Sequence, residues 1–142
     1  MADPAQGLAI PRALVEAMAA HCDARYPKEA CGYLARARGG ARTIVQGYPM
    51  RNVEDSPIGY AMDPKEQLQT EQLMRQRQQE LAAIYHSHTT SDAYPSSVDV
   101  SLAISPDVSY VLVSLKDRRH PVARSFRIDG ARVTEEPLVV TG

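Results

Sequence analysis

The segment LAAIYHSH, at positions 81–88, constrains the fold more than any other part of this chain. It begins with a nearly unbroken apolar run, which is typical of a strand buried on both faces of a sheet. The segment SYVLVSL, at positions 109–115, has the same character. The two segments predict a pair of central strands, around which the rest of the chain must be arranged.

The N-terminal half alternates between strand and helix patterns. LAI predicts a short first strand, and Pro11 then opens a helix whose apolar residues recur at helical spacing until the Tyr26-Pro27 pair ends it. Two strand-like runs flank Gly39-Gly40 and predict a hairpin. IGYAM, at 58–62, predicts another short strand, and Asp63-Pro64 predicts the start of a surface helix that runs to about Gln79.

The C-terminal half predicts a short helix and a closing hairpin. Ser96 and Ser97 are suited to cap a helix that continues to about Ser101, and Asp129-Gly130 separates two strand-like runs. Strands and helices therefore mix without a regular βαβ alternation. This mixture predicts an α/β fold with a mixed central β-sheet flanked by helices.

Length and charge limit the classes of function. A chain of 142 residues predicts one domain spanning 1–142, and a net charge of −1 gives no general field that would attract nucleic acid or an acidic membrane. Cys22 and Cys31 do not form a C-x-x-C pair, which excludes a cysteine zinc knuckle and a disulfide framework. Two lone thiols and an N-terminus without a signal-peptide pattern lead us to expect a cytoplasmic protein.

Four residues at the end of the first central strand and shortly after it predict a metal site. His86 and His88 lie two positions apart on a strand, so both imidazoles point to the same face. Ser96 and Asp99, three positions apart, lie on one side of the predicted helical turn. Two imidazole nitrogens and one carboxylate oxygen, with a fourth position open for water, are the ligand set of a catalytic zinc site.

Other interpretations of these residues remain open from spacing alone. The histidines are also compatible with hydrogen-bonded structural residues, and two histidines with one carboxylate also bind iron(II). Such iron sites generally take the carboxylate from beside the first histidine and the second histidine from far along the chain. Zinc is favoured here because the two histidines lie close together and the carboxylate is the distant ligand. Hydrolysis requires a further base, and Glu29, which opens an apolar strand, is one candidate among several glutamates. Cys31 as a thiol nucleophile is disfavoured because buried strand cysteines are usually inert.

The complete pattern resembles the signature of the JAMM (MPN-plus) metalloproteases. That signature is an upstream glutamate, then H-[S/T]-H, seven residues, serine, two residues and aspartate, and each element is present here. The resemblance implies a JAB1/MPN fold related to cytidine deaminases, extending from about residue 9 to 138. It implies one zinc ion on His86, His88 and Asp99, with Glu29 as general base and acid and Ser96 as donor to the oxyanion.

Within that family, the chain is similar to small bacterial Mec-type peptidases. The segments YPKEACGYLA, YHSHTTSDAYPSSVD and SFRIDGARVTEEPL carry this similarity. It implies hydrolysis of the amide bond after the C-terminal Gly-Gly of a ubiquitin-like sulfur carrier protein, with release of cysteine during cysteine biosynthesis. Thr89 stands where many members, including deubiquitinating relatives, have proline, so deubiquitinase specificity transfers less well than the metal chemistry.

Two alternative functions accompany this interpretation. The same chemistry is compatible with a carrier from a specialised sulfur-metabolite pathway, and the MPN fold also occurs as a metal-free scaffold that only binds partners. Such scaffolds typically lose metal ligands, whereas all three are present here. A homodimer is the default expectation for a small enzyme.

Overall fold

A computed structural model describes residues 6–142 of the chain. The elements in chain order are β1 (Leu8–Pro11), α1 (Arg12–Arg25), β2 (Cys31–Ala37), β3 (Ile44–Met50), α2 (Pro64–Gln76), β4 (Gln79–His88), α3 (Ser97–Leu102), β5 (Ser109–Ser114), β6 (Val122–Asp129), β7 (Arg132–Glu136) and β8 (Leu138–Thr141). This order mixes strands and helices irregularly, as the sequence pattern predicts.

Six strands form the main sheet in the order β3-β2-β4-β5-β6-β7. The β4–β5 pair is parallel, and the other neighbours in this sheet are antiparallel. The sheet is therefore mixed but mostly antiparallel. The two predicted central strands, β4 and β5, lie side by side at its centre, with Ile84 opposite Tyr110 and His86 opposite Leu112.

Each face of the sheet carries its own apolar cluster. Helix α1 covers one face, where Met18 and Cys22 pack against side chains such as Leu34, Tyr85 and Val111. The opposite face carries a second cluster that includes Tyr33, Met74, Ile84 and Tyr110, in contact with α2 and with residues of α3. Burial on both faces explains the apolar start of β4, and the same face that carries Ile84 also carries His86 and His88.

Most of the predicted elements are confirmed, and two predictions are wrong. Residues 58–62 do not form a strand, because only Met62 makes an isolated bridge, with Asn52. Helix α2 ends at Gln76 rather than near Gln79, because Gln79 already belongs to β4. Of the two residues between these elements, Gln78 has a positive φ of 58°, which is incompatible with continuing the helix.

The C-terminal strand, β8, completes the fold. β8 leaves the main sheet and pairs in parallel with β1, a contact between the two ends of the described chain that local patterns do not predict. Within residues 6–142, no helix has both the length and the apolar character needed to cross a membrane.

Candidate metal centre

The end of β4 presents two imidazoles to the same face of the sheet. His86 and His88 have ring centroids 5.1 Å apart, and both side chains are almost completely buried. Ser87, between them, points to the opposite face, where its hydroxyl oxygen accepts a hydrogen bond from the backbone amide of Ala30 at 2.8 Å. The two-residue spacing therefore produces the orientation expected from strand geometry.

Helix α3 brings a carboxylate to the two histidines. Ser96 caps this helix through a capping box, in which the Ser96 hydroxyl oxygen accepts from the Asp99 amide at 3.1 Å and the Ser96 amide donates to Asp99 Oδ2 at 2.8 Å. The Asp99 carboxylate reaches both rings: Oδ2 lies 3.0 Å from Nε2 of His88, and Oδ1 lies 3.1 Å from Nε2 of His86.

This arrangement fits a metal ion. The ligand atoms of His86, His88 and Asp99 all lie within 4.8 Å of one another. With metal–ligand bonds of about 2.0–2.1 Å, tetrahedral zinc places neighbouring ligand atoms about 3.3 Å apart. The two separations between an imidazole nitrogen and an Asp99 oxygen, 3.0 and 3.1 Å, are close to this value. Nε2 of His86 is buried without an aligned hydrogen-bond partner among the described residues, an arrangement that a bound cation would satisfy.

A backbone carbonyl orients one of the two rings. Nδ1 of His88 lies 2.9 Å from the carbonyl oxygen of Asp92. If Nδ1 carries the proton, it donates to this carbonyl and leaves the Nε2 lone pair directed at the metal position. Histidine ligands in metalloproteins commonly have such a partner, which fixes the tautomer and the ring orientation.

The electrostatics of His86 and Asp99 favour the protonation states that metal binding needs, whereas those of His88 favour its protonated form. Burial lowers the pKa of His86, which keeps this imidazole neutral. Burial alone would raise the pKa of Asp99, but its contacts with His86 and His88 outweigh burial and hold the pKa well below its usual range. For His88, burial lowers the pKa, and the bonds to Asp99 and the Asp92 carbonyl outweigh it, so the pKa is raised. The Asp99 carboxylate, which stabilises the proton on His88, would stabilise a metal cation bound in place of that proton in the same way.

Strand pairing places Glu29 beside the histidines. Cys31 on β2 lies opposite His86 on β4, and the Ser87 amide donates to the Ala30 carbonyl at 3.0 Å. Continuing this register places Glu29 opposite His88, and opposite residues of an antiparallel pair share a face. Glu29 is 5% exposed, and burial raises its pKa to about 7; the charge of His88 works in the opposite direction.

A carboxyl group with a pKa near 7 is suited to exchange protons at neutral pH. Among residues 6–142, no group donates a hydrogen bond to the Glu29 side-chain oxygens, so they are free to meet a water molecule or a substrate. Ser96 keeps its hydroxyl hydrogen available, since its oxygen acts as acceptor in the helix cap. The structure thus brings together all five residues singled out by the sequence.

Sequence reasoning missed two residues next to this site. The Tyr60 ring stacks on the His86 ring, with centroids 4.5 Å apart and planes inclined by 27°. Asn52 is 3% exposed and donates to the backbone carbonyl of Glu29 at 3.0 Å. Tyr60 was assigned to a strand, and Asn52 has no partner at a fixed spacing, so the only available signal was an asparagine in a polar loop.

The two cysteines are poorly suited to act as nucleophiles. Cys22 and Cys31 are both free and buried, and burial raises the pKa of each thiol to about 12. Thiols with such pKa values are not ionised at neutral pH and are poor nucleophiles. The structure therefore supports the rejection of Cys31 as a protease nucleophile.

Comparison of the sequence with known families gives one match that covers most of the chain. The profile described as "Prokaryotic homologs of the JAB domain" matches residues 11–129. The chain is 46% identical over 127 residues to a protein named CysO-cysteine peptidase from Mycobacterium tuberculosis, covering 89% of this chain and 86% of that one.

Two further relatives have names that refer to protein conjugates or their removal. A Thermus thermophilus protein named "Probable TtuB-protein conjugate cleaving protease" is 36% identical over 97 residues, which is 68% of this chain and 63% of that one. A Haloferax volcanii protein named Desampylase is 34% identical over 89 residues, which is 62% of this chain and 63% of that one.

Solved structures share the fold. Protein DSY2949 from Desulfitobacterium hafniense superposes with a TM-score of 0.86 at 36% identity, covering 94% of this chain and 92% of that one. The JAB1/MPN domain protein AF2198 from Archaeoglobus fulgidus superposes with a TM-score of 0.61 at 14% identity, covering 94% and 97%. These similarities confirm the expected fold and the resemblance indicated by the motif.

Proposed function

Since this chain belongs to the family of prokaryotic homologs of the JAB domain, we propose that it is a zinc-dependent peptidase that releases cysteine from the C-terminus of a ubiquitin-like sulfur carrier protein. Membership of the family and similarity to a named peptidase over most of both chains support peptidase or isopeptidase activity. The observation that carries the proposal is the convergence of two imidazoles and one carboxylate, with a buried glutamate opposite one imidazole.

The metal would be held by His86, His88 and Asp99. When bound, zinc supplies Lewis-acid chemistry: it lowers the pKa of a water molecule to about 7 and polarises the carbonyl under attack. The chain contributes the geometry, because the strand fixes the two rings and the capped start of α3 fixes the carboxylate. Three protein ligands leave one position open for a reacting group.

Glu29 would move the proton during hydrolysis. Its carboxylate accepts a proton from the attacking water and later donates that proton to the leaving amine. Burial raises its pKa to about 7, so both the ionised and the protonated forms are accessible at neutral pH. Ser96 would donate its hydroxyl hydrogen to the oxyanion of the tetrahedral intermediate, a contribution of about 3 kcal/mol for a well-placed donor.

The substrate side of the proposal depends on relatives and on sterics. Relatives named for CysO-cysteine and for TtuB-protein conjugates support a small protein carrier as the acyl part of the substrate. A folded carrier can place only its flexible tail beside the buried histidines. Gly-Gly before the cleaved bond suits this approach, since residues without a Cβ allow the backbone to come close to the metal position.

The cellular setting of the enzyme stays a prediction. Buried free thiols at Cys22 and Cys31 are compatible with a reducing compartment, which supports the cytoplasm. A homodimer also stays a prediction. Cleavage of a carrier from a specialised sulfur-metabolite pathway is the alternative that retains this chemistry. Cleavage rates measured on adducts of both kinds of carrier distinguish the two functions.

The test is intact-mass spectrometry of a carrier–cysteine adduct incubated with the zinc-loaded protein. We expect the carrier to lose the mass of one cysteine residue, while a ubiquitin–lysine isopeptide remains intact. A chelator should stop the reaction and added zinc should restore it. Cleavage of the ubiquitin conjugate but not of the carrier adduct would contradict the proposed substrate. Full activity of rigorously metal-free protein would contradict the proposed zinc dependence.

Variants separate the ligands from the base. His88→Ala should lose bound zinc, whereas Glu29→Gln should retain zinc and lose about 10²–10⁴-fold in turnover. Glu16→Gln, on the exposed side of α1, is the matched control for loss of one glutamate charge and should behave as the wild type. Wild-type rates for Glu29→Gln would assign the proton transfer to another group. Binding of the carrier without any cleavage would favour the scaffold interpretation.

A further inference from the structure

Residues 52–61, which we name the strap, connect β3 to the start of α2 and cross beside the candidate metal centre. The strap contains no helix. Its strand-like pairing is limited to its two ends, where Asn52 forms a bridge with Met62 and the Val53 amide donates to the Ala61 carbonyl at 2.8 Å. Several of its residues are exposed, including Ile58 at 87%. An exposed irregular segment of this length needs specific bonds to hold one conformation.

The Asn52 side chain supplies four of these bonds. Its amide nitrogen donates to the carbonyls of Glu29 and Gly59, both at 3.0 Å. Its amide oxygen accepts from the backbone amides of Glu54 and Ala61, also at 3.0 Å. Both donors and both acceptor positions of the side-chain amide are therefore occupied in a buried position, which joins the two ends of the strap to Glu29, two residues before β2.

Three further contacts join the strap to the metal centre. The Glu29 amide donates to the Ser56 carbonyl at 2.7 Å, so the backbone of Glu29 is bonded to the strap through both its amide and its carbonyl. The Thr89 hydroxyl donates to the Pro57 carbonyl at 3.1 Å, one residue beyond His88. The Tyr60 ring covers one face of His86.

The position of the Glu29 carboxylate depends on these backbone bonds. Its own oxygens receive no hydrogen bond from any described residue, and β2 begins only at Cys31. Strand pairing holds the chain as far as Ala30, through bonds to Ser87. Between Ala30 and α1, the bonds to the strap fix the backbone of Glu29. Asn52 holds the strap on its buried side, and on its exposed side Asp55 forms ion pairs with Arg25 and Lys28, which are worth little in contact with solvent.

We propose that Asn52 is a positioning residue that, through the strap, holds Glu29 in register with the metal ligands. This inference rests on the proposed role of Glu29 in proton transfer. Misplacement of a reacting group by about 1 Å can cost roughly 100-fold in rate. Loss of Asn52 should therefore lower turnover while leaving the three ligands, and hence the bound zinc, in place.

Two substitutions test this role. Asn52→Asp keeps the acceptor oxygen for Glu54 and Ala61 but replaces the donor nitrogen by an oxygen that faces two carbonyls. Asn52→Ala removes all four bonds without adding a charge. Ser105→Ala is the control, since it also removes a side-chain oxygen that accepts a backbone amide two residues ahead, from Asp107 at 3.1 Å, in a loop outside the strap.

The kinetic readout is turnover per bound zinc at a temperature well below the unfolding midpoint of each variant. We expect both Asn52 variants to lose roughly 10- to 100-fold in kcat with a smaller change in KM, and Ser105→Ala to lose neither. In the Glu29→Gln background, Asn52→Ala should have almost no additional effect, because the group that it positions is already disabled. Independent, multiplicative losses in the double variant would overturn the proposal.

Amide hydrogen exchange followed by NMR tests the same contact without activity. In Asn52→Ala, we expect the Glu29 amide to exchange at least 10-fold faster, while the Val111 amide in the central strand β5 keeps its wild-type rate. Unchanged exchange at Glu29, or equal acceleration at both amides, would show that Asn52 does not hold Glu29 specifically. If the wild type cleaves no carrier adduct, the proposed function fails, and the exchange result still decides whether Asn52 holds the Glu29 backbone.

Discussion

The burial of the Glu29 carboxylate predicts that the protein gains stability when this proposed proton-transfer residue is replaced by a neutral one. Burial raises the pKa of Glu29 from its ordinary value of 4.5 to about 7 in the folded protein. Below pH 4.5 the carboxyl is protonated in both the folded and the unfolded states, so it has no effect on stability. As pH rises from 4.5 to 7, the unfolded state ionises first, and the folded state becomes relatively less stable.

The size of this effect follows from the two pKa values. The difference between 4.5 and about 7, at 1.36 kcal/mol for each pH unit, sets an upper limit of about 3.4 kcal/mol. Solvent screening reduces this limit, and we expect Glu29→Gln to stabilise the metal-free protein by about 1–3 kcal/mol at pH 8. The substitution removes no hydrogen bond from a described residue to the carboxylate. It does remove the attraction between the carboxylate and the charge of His88, which the pKa of about 7 already includes.

The assay is chemical denaturation of chelated protein at pH 4.5 and pH 8, with Glu16→Gln as the control for removal of an exposed charge. Glu29→Gln should lie within about 0.4 kcal/mol of the wild type at pH 4.5, where half of the carboxyl groups are ionised in the unfolded state, and should exceed the wild type at pH 8. In a thermal scan at pH 8, the unfolding midpoint should rise by roughly 2–4 °C for each kcal/mol. Equal stability differences at both pH values, or a loss of stability at pH 8, would refute the placement of an ionised Glu29 in a poorly solvated site.

Three substitutions test other parts of the structure. Gly32→Ala should destabilise the protein by about 1–3 kcal/mol in urea denaturation, since the new Cβ would lie 2.3 Å from Cε2 of Tyr85. Ser96→Ala should cost about 1 kcal/mol through loss of the α3 cap and about 10²–10³-fold in turnover, and wild-type turnover would remove it from the proposed mechanism. Glu136→Ala should cost about 3–5 kcal/mol, because it leaves the guanidinium of Arg42, 2.9 Å away, without its buried carboxylate; a loss below 1 kcal/mol would contradict this pairing.

Local sequence patterns were sufficient for most of the fold because each depends on neighbouring residues. The apolar runs of β4 and β5 predicted two strands at the centre of the sheet, and Asp63-Pro64 predicted the start of α2. The pairing of β8 with β1 was not predictable in this way. It joins residues about 130 positions apart, and neither strand carries a local feature that specifies its partner.

The proposed metal ligands were predictable for the same reason. His86, His88 and Asp99 lie within 14 residues, so strand alternation and one helical turn determine how they converge. Glu29 is different, because its place opposite His88 depends on the register of β2 against β4. From its local sequence it was one glutamate among several, and only the family motif distinguished it.

The strap shows where sequence patterns stop being informative. IGYAM has the composition of a strand, but the amide of Ala61 bonds to the side chain of Asn52, and the ring of Tyr60 packs on His86. Bonds from a side chain to the backbone follow no period of two or 3.6 residues, so no sequence window reveals them. Such bonds hold irregular backbone in one conformation, which a site that positions a proton-transfer group requires. The part of the candidate centre that was least predictable from sequence is therefore the strap, whose bonds lie between Glu29 and the proposed metal ligands.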